Sequence, residues 1–85
     1  PENAEEKYVA EIKIFANNRK GLMADISRVL TERNIDILSM NTRVSKQGQA
    51  TLQTTFEIGS REALNRVIDK VRSIESVLDI ERTTG

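Results

Sequence analysis

Asn17-Asn18-Arg19-Lys20-Gly21, followed by Leu22 and Met23, is the stretch of this chain whose residue types best suit holding a ligand. The amides can donate or accept, the cations attract an anion, and a glycine lets the backbone approach a bound group closely. If a helix starts near Leu22, its first backbone N–H groups have no partner within the helix. They carry partial positive charge, which suits a carboxylate or a phosphate. The same residues also fit an ordinary turn in which Asn18 caps the helix and the charges are solvated. A second basic stretch, Arg43 to Lys46, could meet phosphates or could simply be a charged hairpin turn.

Other chemistry is scarce. The chain has no histidine and no cysteine, which removes thiol nucleophiles, disulfides, the commonest general base and the commonest metal ligands. Asp25, Glu32, Asp36, Glu57, Asp69 and Glu75 are scattered along the sequence and read as solvated surface charge rather than as a catalytic pair. No catalytic residue, metal site or cofactor is therefore expected. Lys and Arg number 13 against 13 Asp and Glu, so the basic excess of a general nucleic-acid binder is missing. No apolar run reaches the length of a membrane span, and Pro1 to Lys7 does not resemble a signal peptide. A cytoplasmic chain with no membrane partner is expected, and the absence of cysteine suits a reducing compartment.

The elements that would position the first loop can be read from periodicity. Residues 1–7 are polar and acidic and read as a flexible linker or terminus. From Tyr8 to Ala16 the chain alternates, with Ala10, Ile12, Ile14 and Ala16 on one side, as in a half-buried strand. Leu22, Ile26, Val29 and Leu30 then form one helical face, and Asn34 stands where a left-handed residue would close the helix. Ile35 to Val44 reads as a second strand with two competing faces: Ile35 and Ile37 favour one, and Leu38, Met40 and Val44 the other. Lys46-Gln47-Gly48 makes a turn into a third strand, Ala50 to Ile58. Its Phe56 is in register with Leu52 and Ile58 and so belongs to the core, and the strand lacks the aromatic pair of an RNA-recognition motif. Ser60 caps a second helix faced by Leu64, Val67, Ile68, Val71 and Ile74, and Val77 to Arg82 is a last strand before the tail 83–85.

The order β-α-β-β-α-β with one apolar stripe per helix predicts an α+β, ferredoxin-like sandwich, a four-stranded antiparallel sheet with both helices on one face. The other face has no cover from this chain. Val9 and Phe15, joined by Leu38 and Met40 if these point outward, would form a partly apolar patch there and favour self-association.

From Tyr8 to Arg82 the chain resembles an ACT domain. Ala16 through Ile26 looks like that family's first loop and helix, and Asn34-Ile35-Asp36-Ile37 like its entry into the second strand. Within the family it is most similar to the C-terminal ACT domain of the RelA/SpoT group, the (p)ppGpp synthetase/hydrolases or GTP pyrophosphokinases. The loop of Arg-x-Gly-Leu type, the run Gly48 to Ile58 and the ending Leu64 through Ser76-Val77-Leu78-Asp79-Ile80-Glu81-Arg82 carry that likeness.

The resemblance implies a regulatory module of the stringent response, with the GTP chemistry in other domains of a parent enzyme. It implies a homodimer through ACT–ACT contact and an amino-acid ligand at Asn17, Asn18, Arg19, Lys20, Gly21, Leu22 and Met23. It equally suggests contact with ribosomal RNA through Arg19, Lys20, Arg43 and Lys46. An amino-acid-binding ACT domain of another metabolic enzyme or of a transcription regulator is the alternative. Where the family often has an acid, this chain has Asn18, which offers no negative charge to a ligand ammonium group.

Overall fold

The alternating segment forms strand β1 (Tyr8–Asn17) in a computed structural model that describes residues 6–83. Most of the expected linker over residues 1–7 and the end of the expected tail over residues 83–85 lie outside the described residues. Helix α1 (Leu22–Glu32), strands β2 (Ile37–Val44) and β3 (Gln49–Ile58), helix α2 (Arg61–Arg72) and strand β4 (Val77–Arg82) follow. The sheet order is β2-β3-β1-β4, and every neighbouring pair is antiparallel. This is the ferredoxin-like sandwich that the element order predicts.

The period of two decides which side of the sheet is covered. In β1, Ala10, Ile12, Ile14 and Ala16 are fully buried, and in β3 so are Ala50, Leu52, Thr54 and Phe56. The helices lie on that face through Leu22, Ile26 and Leu30 of α1 and Leu64, Val67, Ile68 and Val71 of α2, and together they form one core. Each such aliphatic side chain contributes roughly 1.5–3 kcal/mol on burial. Thr54 is the polar exception, and its buried hydroxyl has no hydrogen-bond partner among the described residues.

Helix boundaries follow local chemistry. Ser60 Oγ accepts from the Ala63 amide at 3.0 Å and so caps α2, with Glu62 in the first turn beside the positive end of the helix dipole. Asn34 takes a positive φ of 60° after α1. The Arg33, Asn34 and Ile35 amides then return to carbonyls of Leu30 and Thr31, so Ile35 belongs to the helix closure. Strand β2 consequently begins at Ile37, two residues later than the periodicity predicts.

The competing faces of β2 are both real. Ile37 pairs with Phe56, whereas Ser39 pairs with Thr55 and Met40 with Thr54, so Leu38 is an extra residue in the ladder. Ile37 and Met40 both pack against the core because the bulge between them changes the phase. Leu38 is left 52% exposed, while Met40 turns inward and is absent from the expected outer patch. A second shift between Phe15 and Ala16 likewise leaves Leu78 unpaired and half exposed. The outer face thus carries Val9, Leu38 and Leu78, with the partly buried Phe15, among polar residues.

Candidate functional site

Where β1 leaves the sheet it is stitched to both neighbours. The Asn17 amide donates to the Ser76 carbonyl and the Asn18 amide to the Gly48 carbonyl, each at 2.8 Å. The first loop, the β2–β3 hairpin and the turn before β4 therefore meet at one end of the sheet. The hairpin is closed by the Gly48 amide on the Ser45 carbonyl at 3.0 Å, with Gly48 at a φ of 83°.

Arg19 organises this end. Its Nε and Nη2 donate to the Glu75 carbonyl at 3.2 and 2.9 Å, and its Nη1 donates to the Lys20 carbonyl at 3.0 Å. Nη2 also meets Asp25 Oδ2 at 2.8 Å, and Arg28 lies 3.7 Å from the other oxygen of the same carboxylate. Asp25 is therefore a paired group and not the solvated surface charge expected of it. A guanidinium can hold a carbonyl and a carboxylate together because its donors form a rigid planar fork.

Asn18 does not cap α1. That position belongs to Gly21, whose φ of 82° is left-handed, and no side chain caps the helix. The Asp25 amide reaches back to the Gly21 carbonyl at 2.9 Å and the Leu22 amide to the Arg19 carbonyl at 3.3 Å. The Met23 and Ala24 amides stand at the helix N-terminus without a side-chain acceptor, where an incoming carboxylate would be stabilised.

Of the other expected site residues, Leu22 is buried in the core. Lys20 is exposed. Met23 is 48% exposed, and its Sδ accepts from Thr42 Oγ1 at 3.6 Å, which ties the start of α1 to β2. Lys46 is exposed in the hairpin turn close to the loop. Arg43 stands apart on β2 opposite Thr51 and, with Lys13, Asn41 and Gln53, lines an outer-face cleft of about 410 Å³. Lys20, Arg43 and Lys46 are unpaired among the described residues, whereas Arg19 is committed to Asp25 and Glu75.

Sequence reasoning missed Glu75 as a partner of Arg19, since a contact across 56 residues leaves no local periodicity, and it missed Asp25, six residues away, because it read that acid as solvated. It also missed a cleft at the opposite end of the sheet, lined by Lys7, Arg33, Glu57 and Arg66 from four separate segments. Among the described residues no group of His, Cys, Asp or Glu is placed to hold a metal ion, and no helix is long and apolar enough to cross a membrane.

The model of the ACT domain family matches residues 4–82. The chain is 35% identical over 78 residues to a GTP pyrophosphokinase of Streptomyces coelicolor, covering 92% of this chain and 9% of that protein. It is 31% identical over 78 residues to the bifunctional (p)ppGpp synthase/hydrolase RelA of Mycobacterium tuberculosis, covering 92% of this chain and 11% of that one. The chain thus spans about a tenth of the length of these relatives. The crystal structure of the ACT domain from the GTP pyrophosphokinase of Chlorobium tepidum superposes with a TM-score of 0.79 at 22% identity, over 91% of this chain and 99% of that one.

Proposed function

Because this chain belongs to the ACT domain family, we propose that it is the regulatory module of a GTP pyrophosphokinase-type (p)ppGpp synthetase/hydrolase, working as a homodimer that senses amino acids at its first loop. The GTP chemistry belongs to other parts of the parent enzyme, since relatives of that class extend far beyond the length matched here.

The observation that carries the sensing role is the uncapped N-terminus of α1. Gly21 supplies the turn, and among the described residues the Met23 and Ala24 amides have no side-chain acceptor and the exposed Lys20 has no partner. A ligand carboxylate would take these donors. Asp25 is the neighbouring acid, and Arg19 and Arg28 already hold it, so a ligand ammonium group must find backbone carbonyls or the side chain of Asn17 or Asn18. Titration with branched-chain amino acids, followed at the amides of residues 17–23, tests the reading. Saturable shifts in that loop support it, and unmoved amides at millimolar ligand refute it.

A second reading rests on Lys20 and Lys46 near the first loop and on Arg43 further along β2, all unpaired among the described residues. They suit the phosphates of ribosomal RNA. Binding that falls steeply with salt and is lost on replacing them with alanine would favour this reading; salt-independent binding would not.

A further inference from the structure

The end of the sheet away from the first loop, where β1 and α2 begin and α1 and β3 end, holds a cleft of about 310 Å³. Lys7 reaches it from just before β1, Arg33 from the end of α1 and Arg66 from α2, while Ile35, Ile58 and Val67 supply an apolar floor. Neither these cations nor the Glu57 carboxylate has a side-chain partner among the described residues. Three cations against one carboxylate, Glu57, leave the lining at a net +2. The end of α1 and the start of α2 bring opposed partial charges to the same place, so the side chains set the field.

We propose that this cleft binds a small organic phosphate monoester of the nucleoside monophosphate kind. Such a phosphate carries about −1.5 to −2 charge near neutral pH, which matches the net charge of the lining. Lys7, Arg33 and Arg66 hold the phosphate, with the side-chain carboxamide of Asn34 as a further donor. Glu57 accepts from a ligand hydroxyl or amino group, and the apolar floor takes the planar base. A volume near 310 Å³ sits at the small end of ligand clefts, roughly 300–1,000 Å³, and suits one base with its sugar and phosphate. The site shares no residue with the loop proposed for amino acids, so either can fail while the other stands.

Titrating adenosine 5′-monophosphate into the full, isotope-labelled chain at low salt tests this. Saturable shifts are expected at the amides of Ile35, Gly59 and Val67, with those of residues 17–23 unmoved. Inorganic phosphate should bind more weakly and adenosine should not bind. Arg33→Gln and Arg66→Gln should each weaken binding about tenfold, the effect of losing one charge-assisted hydrogen bond. Neither side chain makes a bond among the described residues, and unchanged unfolding midpoints would show that the fold is intact. The proposal is overturned if adenosine monophosphate moves none of these amides or if both variants bind it like the parent chain. Binding of adenosine, or of inorganic phosphate as tight as the nucleotide, overturns it as well.

Discussion

The Arg19 guanidinium donates twice to the carbonyl of Glu75, 56 residues further along the chain, at 3.2 and 2.9 Å. With its ion pair to Asp25 at 2.8 Å, this bond joins the first loop, the start of α1 and the turn before β4. The family-like arginine is thus a strut for the loop before it is anything for a ligand. The turn it holds includes Ser76, whose φ of 82° is unusual for a residue with a side chain.

Replacing Arg19 by alanine should therefore cost roughly 1.5–3 kcal/mol, the range for hydrogen bonds to a charged group. Arg19→Lys should cost nearly as much despite keeping the charge, because an ammonium standing in for Nη2 would leave the bonds that Nε and Nη1 make to the Glu75 and Lys20 carbonyls unmade. Urea denaturation gives both values. Full rescue by lysine would mean that charge alone, not the planar fork, holds the turn.

Gly21 and Gly48 sit at φ of 82° and 83°, and neither meets a steric obstacle: the nearest atom to an added Cβ at Gly21 is Arg19 Nη1 at 3.6 Å, and Gly48 has none within 4 Å. Alanine at either position should cost about 1–2 kcal/mol through backbone conformation alone. Gly48→Asn should cost less, since asparagine tolerates the left-handed region. Gly59 has open space and no such φ, so Gly59→Ala should leave the unfolding midpoint nearly unchanged.

Thr54 is wholly buried and its hydroxyl has no partner among the described residues. Valine keeps the shape and removes the unsatisfied group, so Thr54→Val should stabilise the domain by about 1 kcal/mol and raise Tm. A lower Tm would show that the hydroxyl is satisfied in solution.

Local periodicity carried most of the fold. The alternation of Ala10, Ile12, Ile14 and Ala16 and the stripe from Leu64 to Val71 named the core residues because burial on one face is all that spacing encodes. Ser60 and Asn34 were readable because caps act within a few residues. The first loop was legible as a segment, yet the role of Arg19 was not, since its partner Glu75 is brought near only by the β4 pairing. The distal cleft was hidden for the same reason: Lys7, Arg33, Glu57 and Arg66 share no spacing rule.

The bulge at Leu38 lets β2 place Ile37 and Met40 on one face although three positions separate them. In an unbroken strand, residues an odd number of positions apart point to opposite sides. Deleting Leu38 should force Ile37 or else Met40 and its followers out of the core, at a cost of about 2 kcal/mol or more from lost burial. Leu38→Ser, which keeps the extra residue and changes a side chain already 52% exposed, should cost less than about 1 kcal/mol. Comparing the two urea midpoints isolates the spacing from the side chain. If the deletion proves no more costly than the serine variant, the strand can settle without the bulge, and the two-phase reading of β2 is wrong.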